Sequence, residues 1–583
     1  MLSGLTPTGK RSVSAALALM AMLLALGIFF RIANVDRKVY WHDEIYTSVR
    51  TLGYTGDEIE TALFTGELTD RQDWLRYQQL DPERGWSDTL YALSTHPEHP
   101  PLFYLLLRGW VGLFGDSVAA TRSLAVLFSL LCFPALYWLC QELFDVNVWP
   151  VAIALWSVSP VHVLYAQEAR PYSLWTLMTL LSTAMLLQAM RLNRRSAWVT
   201  YGIALTVSAY TSLFTVMVWL SHGLYLGIQG LWAQNRRQLG KSVELMTSGD
   251  PPQPPLSRGV PNGGGIPNRW AQIRNWGLAT GLAGLLFSPW LWVILVNRDR
   301  FQEKTSWVNF SQPFPNLAKL WGLHISSVFI DLGFPLEHPY TYIAPALVLS
   351  LLGWALWALC RHTPRRTWLL LLLLLLVPPA MLILPDLILG GQRSLNTRYF
   401  FPMLSAAVIV VAYLLVYLWR SPRRRLASVV TAVVFTASIL SCSLSASAET
   451  WWNKGLNYHN PRIATVLNQL DRPIVVSAWN NNVLGSVVSL AHLVDDDVQF
   501  QIFPDAQLPP FPEDGRLRVL FEFTGELIEA AMANGFTVEG FERDNVPLLR
   551  LVRQTGSLPD KGNEANYPNS LLQRRSDPRH HPG

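Results

Sequence analysis

The sequence predicts a polytopic α-helical membrane protein that ends in a small α/β domain, and three observations predict it. Half of the 583 residues are hydrophobic and only 15% are charged. The apolar residues come in blocks, such as 13–30 and the leucine run 369–376, instead of being spread as a soluble core requires. Several blocks reach the roughly 20 residues that a helix needs to cross ~30 Å of hydrocarbon. Lys and Arg gather at the ends of alternate blocks, the pattern that sidedness in a membrane produces.

Length and apolarity place about 11 crossings, at roughly 13–31, 119–143, 148–166, 172–190, 197–212, 214–232, 275–296, 341–360, 367–387, 399–419 and 426–446. Lys10 and Arg11 precede the first block, which is longer than the ~7–15 residues of a signal core and has no small-x-small cleavage site, so it reads as a retained helix. The pair before residue 232 is the least distinct, since one long tilted helix could replace it.

With the N-terminus in the cytoplasm, the inner loops hold Arg191, Arg194 and Arg195; Arg236, Arg237 and Lys241; Arg361, Arg365 and Arg366; and Arg420 with Arg423, Arg424 and Arg425. The outer short loops hold Arg170, Arg393 and Arg398. An odd number of crossings then puts the C-terminal region outside, in a protein of the cell (inner) membrane.

The stretch 100–115 has an apolar core of about 14 residues, which reaches only ~20 Å as a helix, and Arg108 interrupts it. Paired prolines suit its first turn. It reads as a helix in the outer interface, because counting it as a crossing would place every later Arg cluster outside.

The remainder divides into a first outer loop, 32–118; a cytoplasmic loop, 233–274, whose Pro/Gly stretch reads as flexible linker; an extracytoplasmic α/β domain, 447–554; and a polar tail, 555–583, that reads as disordered. The membrane domain as a whole is 1–446. In the α/β domain, PIVVSA, VQFQIF and RLRVLFEF read as strands and ELIEAAMANGF as a helix. The net charge of +5 follows from topology and calls for no nucleic acid. Cys132, Cys140, Cys360 and Cys442 all fall inside apolar blocks and form neither a disulfide framework nor a CxxC metal motif.

Ionisable residues are nearly absent from the crossings, whereas a proton-coupled pump needs them near the midplane. The polar groups collect at the outer helix ends. Trp41-His42-Asp43-Glu44 follows the first crossing, and a carboxylate there could take a proton from an acceptor hydroxyl. An ordinary acidic pair on a wet loop is the bland alternative, and Asp57-Glu58 repeats the dipeptide. His96-Pro97-Glu98-His99-Pro100-Pro101 suits a rigid entry turn, and its spacing is not that of a helical metal pair. Glu168-Ala169-Arg170-Pro171-Tyr172 and Arg393-Ser394-Leu395-Asn396-Thr397-Arg398-Tyr399 bring guanidinium forks that match phosphate oxygens. One such Arg would snorkel to headgroups, but three in loops otherwise poor in cations favour phosphate.

The order of WHDE after the first crossing, HPPLFYLLL before the second, EARPYSL between the third and fourth, and RYFFPML opening a late one resembles the GT-C glycosyltransferases. It is most similar to the branch of protein O-mannosyltransferases and the lipid A aminoarabinose transferase (glycosyltransferase family 39-like), over roughly residues 13–420. The resemblance implies an inverting transfer from a polyprenyl-phosphate sugar to a protein, lipid or glycan acceptor. It makes Asp43 the base, with Glu44 supporting it or orienting the acceptor. Arg170, Arg398 and Arg393 would hold the donor phosphate, and His99, Glu168, Tyr172 and Tyr399 are the substrate-binding candidates. Members of the family often carry Asp after the Arg-Pro where this chain has Tyr172, so no carboxylate role carries over there. No metal site is assigned, although a divalent ion could join His42, Asp43 and Glu44. A flippase for lipid-linked sugars and a non-catalytic envelope scaffold are the alternatives.

Overall fold

The computed structural model describes residues 7–247, 269–335, 338–541 and 546–553. The Pro/Gly-rich part of the 233–274 loop and the tail from 555 lie outside the described residues.

Helices stand at every predicted crossing. Among the described residues, seven are long and apolar enough to cross a membrane, and a bent pair makes an eighth. The segment read as one helix at 148–166 is that pair, Trp149–Ser157 and Pro160–Ala166, which meet at 59°. Pro160 is the reason: a proline ring inside a helix clashes with the preceding turn and leaves a carbonyl without its donor. The segments before residue 232 are two helices, Arg195–Thr211 and Thr215–Thr247, joined where Ser212 turns extended.

Leu285, Trp292, Ile388 and Leu389 are all more than two-thirds exposed. Such side chains on the outside of long apolar helices suit contact with lipid tails, not water. The protein is an integral membrane protein. The Thr397–Arg420 span is the exception, with 94% of its most apolar window buried. It is the central post against which neighbouring helices pack.

The loop after the first crossing folds into short helices, among them His42–Leu52 and Leu102–Phe114. The latter buries Phe103, Tyr104, Leu107 and Val111 and exposes Leu106, Leu113 and Phe114, so it is amphipathic. Arg108 is not aimed outward: it donates to the carbonyls of Thr51 and Arg84 and to Thr89 Oγ1. The segment between the Arg269–Val296 and Tyr340–His362 helices adds cations that the sidedness count omitted. They have partners, Arg298 with Asp299, Arg300 with Asp57 and Lys304 with Glu303.

Six strands form one mixed sheet: β1 (Leu68–Asp70), β2 (Ile474–Ala478), β3 (Gln499–Phe503), β4 (Arg518–Leu520), β5 (Phe536–Gly540) and β6 (Leu549–Arg553), in the order β1-β3-β2-β4-β6-β5. The central strand β2 runs parallel to β3 and β4 and is buried along its length, as an interior parallel strand with both faces covered should be. β1 comes from the first loop and pairs antiparallel with β3, Thr69 opposite Phe500. The first loop and the C-terminal region therefore share one sheet.

Candidate functional site

The His42–Leu52 helix carries the WHDE motif in its first turn, with Trp41 as the capping residue and Gly53 at φ 91° ending it. Asp43 and Glu44 occupy the turn whose free N–H groups favour negative charge. Packing against the C-terminal region fixes the helix. Asn457 Oδ1 accepts from the His42 backbone N–H at 2.7 Å. Gly485 lies so close that a Cβ there would stand 2.3 Å from His42 Nδ1.

The two carboxylates lead opposite lives. Glu44 is fully buried. Arg122 donates to it through Nε at 2.8 Å and a second nitrogen at 2.7 Å, Lys454 Nζ at 3.0 Å and the Ala169 backbone at 2.8 Å. Arg122 spends its other donors on the carbonyls of Val35, Lys38 and Val39. Lys454 also donates to Glu168 at 2.9 Å, and Asn453 closes on the same oxygen. Burial pushes the Glu44 carboxyl up, but Arg122 and Lys454 outweigh it and hold it down at about 2. Burial also drives the Lys38 ammonium down to about 7, with Lys454 and Arg122 repelling it.

Asp43 faces two arginines. Its Oδ2 lies 2.6 Å from Arg398 and 3.8 Å from Arg170. Arg170 is steadied by the Asp43 carbonyl at 3.1 Å and Thr47 Oγ1 at 2.8 Å. The Arg398 guanidinium sits over the rings of Trp41, Tyr399 and Tyr172 at 5.5, 5.6 and 6.0 Å. Burial pushes the Asp43 carboxyl up, yet Arg398 and Arg170 prevail and hold it below its ordinary value.

On the Asp43 side, Asp43 Oδ2 has ion pairs but no well-directed hydrogen bond, and the buried atoms Arg170 Nε, Arg398 Nε and Trp41 Nε1 have none. Buried polar atoms are normally hydrogen-bonded, and these unpartnered ones stand around the Asp43 carboxylate and its two arginines.

The structure brings Asp43, Arg170, Arg398, Tyr172 and Tyr399 together. His99 lies 3.5 Å from Glu98, against the Tyr104 ring. Burial, then the charges of Arg50 and Arg170, drives the His99 imidazolium well below its ordinary range. Glu168 lies on the Glu44 side, where Lys454 and Asn453 both donate to its Oε1 while its buried Oε2 and Asn453 Oδ1 have no hydrogen bond. Arg393 makes no contact with Asp43, because its donors go to Asp386, Gly390 and Asn309. Among the described residues no group of three or more His, Cys, Asp or Glu could hold a metal ion.

Sequence reasoning missed Arg122, Lys454 and Asn453. Arg122 left a signal, as a cation one turn inside an apolar helix. Lys454 left none.

A model of the dolichyl-phosphate-mannose-protein mannosyltransferase family matches residues 98–246. The chain resembles the GT-C glycosyltransferases. The matched stretch includes the EARPYSL motif, whereas Asp43 and Arg398 lie outside it. No curated protein sequence matches. Among solved structures, the chain is similar to the oligosaccharyltransferase AglB from Archaeoglobus fulgidus, in complex with an inhibitory peptide and a dolichol-phosphate, at 11% identity and TM-score 0.47 over 84% of this chain. It spans 64% of the length of that protein. It is also similar to ArnT from Cupriavidus metallidurans bound to undecaprenyl phosphate, at 13% identity and TM-score 0.49, over 95% of this chain and 100% of that one.

Proposed function

We propose that this GT-C-like protein is a membrane glycosyltransferase that moves a sugar from a polyprenyl-phosphate donor to an acceptor at the extracytoplasmic surface, with inversion. The observation that carries the reading is Asp43 set against Arg398 and Arg170, amid buried polar atoms without partners. The acceptor, a hydroxyl or amine of a protein, lipid or glycan, attacks the anomeric carbon while its proton passes to Asp43. The bond from that carbon to the phosphate oxygen breaks, and its electron pair leaves with the phosphate.

A phosphodiester carries one negative charge and the released phosphomonoester two, so cations waiting at the leaving oxygen lower the barrier. Arg170 and Arg398 fill that role. A bound donor competes with Asp43 for the same guanidinium groups. Drawing them towards the phosphate raises the proton affinity of Asp43 at the moment a base is required. Glu44 holds the helix from behind and is a positioning residue.

The test uses purified full-length protein and radiolabelled polyprenyl-phosphate sugars, comparing wild type with Asp43→Asn. Release of lipid phosphate by the wild type alone is the expected result. Binding of a donor by both, with cleavage by neither, would sink the transferase reading and favour transport of the intact carrier.

A further inference from the structure

The two arginines set against Asp43 leave from distant parts of the chain, and one short segment is bonded to both arms. Arg170 follows the bent pair of helices, whose second half, Pro160–Ala166, runs on to it. Arg398 follows the 393–397 turn that leads into the central span. The segment is the end of the Phe314–Ser326 helix with Ser327 and Val328 after it.

On the Arg398 arm, Trp321 and His324 stand three residues apart and so share a helix face. Trp321 Nε1 donates to Ser394 Oγ at 2.9 Å. His324 reaches both ends of the turn, with Nε2 3.2 Å from the Ser394 carbonyl and Nδ1 2.6 Å from Thr397 Oγ1. A carbonyl only accepts, so Nε2 carries a proton. The ring also lies against Phe400, at 5.0 Å between centroids. His324 therefore grips the chain on both sides of Arg398, and His324, Ser394, Thr397 and Phe400 are all buried.

On the Arg170 arm, the break at Pro160 leaves the Val161 N–H at a helix start, with no intrahelical acceptor. The Ser327 carbonyl takes it at 3.0 Å, and the Ser159 hydroxyl donates to the Val328 carbonyl at 2.7 Å. Residues 324–328 thus tie the break in the bent pair to the turn that ends at Arg398.

We infer that His324 is a positioning residue for the donor phosphate: through Ser394 and Thr397 it sets Arg398 at the separation from Arg170 that lets both guanidinium groups serve one phosphate. The inference rests on the transferase reading above. Groups that meet a reacting centre must be held within about 0.5 Å, and a misplacement of about 1 Å can cost on the order of a hundredfold in rate.

The test follows release of lipid phosphate by full-length protein from a radiolabelled polyprenyl-phosphate sugar as a function of pH. His324→Phe keeps a ring and loses both hydrogen bonds. Its kcat/KM should fall about tenfold to a hundredfold, and the acid limb set by Asp43 should move up towards that of Arg398→Gln. Thr397→Val removes one hydroxyl and should move rate and limb the same way by less, which keeps the test open should His324→Phe fail to fold. His324→Gln, whose amide still donates to a carbonyl, should recover part of the loss. In an Arg398→Gln background, His324→Phe should cost less than about twofold, because the group it positions is gone. A lower rate with an unmoved limb, or the same loss in both backgrounds, shows a merely structural role and overturns the inference while the donor reading stands. No release by the wild type overturns the donor reading itself, and the inference with it.

Discussion

Asp43 and Glu44 are adjacent, equally acidic and on the same helical turn, yet one is satisfied and the other is not. Glu44 accepts from Arg122 twice, from Lys454 and from a backbone N–H. Asp43 has two arginines beside it and no well-directed hydrogen bond on its buried oxygen. Hydrogen bonds to both Glu44 oxygens fix the segment that carries it, whereas on the proposed reading the unspent capacity of Asp43 serves the donor and acceptor. The contrast teaches how one side of a helix can be held while, on that reading, the other side works.

Asp43→Asn should break that division most sharply. Removing a general base costs typically 10²–10⁴ in rate, so release of lipid phosphate should fall by about three orders of magnitude. The unfolding temperature should fall by less than in variants of the Glu44 cage, because the Asp43 side chain keeps 17% of its surface exposed and that of Glu44 none. Glu44→Gln or Lys454→Met should act chiefly on stability. Deleting one partner of a buried pair costs about 3–5 kcal/mol, and a clear drop in unfolding temperature in detergent is expected. Near-normal stability of Lys454→Met would mean that the cage does not hold the helix.

The cage also sets a pH dependence. The folded Glu44 carboxyl sits at about 2 against an ordinary 4.5. A lowered value in the folded state contributes stability that is fully present above 4.5 and lost as pH falls from there towards 2. Melting curves between pH 6 and pH 3 should show that loss in the wild type and less of it in Glu44→Gln.

What the sequence made legible follows from what is local. Long apolar blocks predicted the helices, and Asp43, Arg170 and Arg398 each stood in a polar motif at a helix end. The cage was not legible, because Arg122 and Lys454 lie 78 and 410 residues from Glu44 along the chain. Nothing near Lys454 speaks of a partner so distant. Strand β1 escaped for the same reason, as three residues whose only claim to be a strand is their pairing with β3. Glu168 shares a motif with Arg170, but a turn between them sets its Oε1 against Lys454 and Asn453 instead of beside Asp43.

The arginines sharpen the comparison on the Asp43 side. Arg398→Lys keeps the charge and loses the fork that a phosphate can use, so donor affinity should fall by about tenfold or more, read by titration with a polyprenyl phosphate. In the free enzyme Arg398 and Arg170 hold the Asp43 carboxyl below its ordinary 3.8. The base form therefore survives acidification, and kcat/KM should keep its plateau down to a pH below that value. In Arg398→Gln the acid limb should move up towards the ordinary value. An unmoved limb would mean that the arginine does not act on Asp43.

Arg393 provides the smallest effect and the cleanest control, since it lies five residues from Arg398 in the same motif. Its guanidinium serves the turn that leads into the central span: Asp386 accepts from it at 3.1 Å and from the Ser394 N–H and hydroxyl at 2.7 Å each. Arg393→Gln removes a partly exposed member of that turn while Ser394 continues to engage Asp386. The Asp386 carboxylate is itself buried, so losing this partner should lower stability, while donor affinity should change by less than about fivefold. A loss as large as that of Arg398→Lys would place Arg393 on the phosphate after all and widen the unsatisfied side of the site beyond Asp43, Arg170 and Arg398.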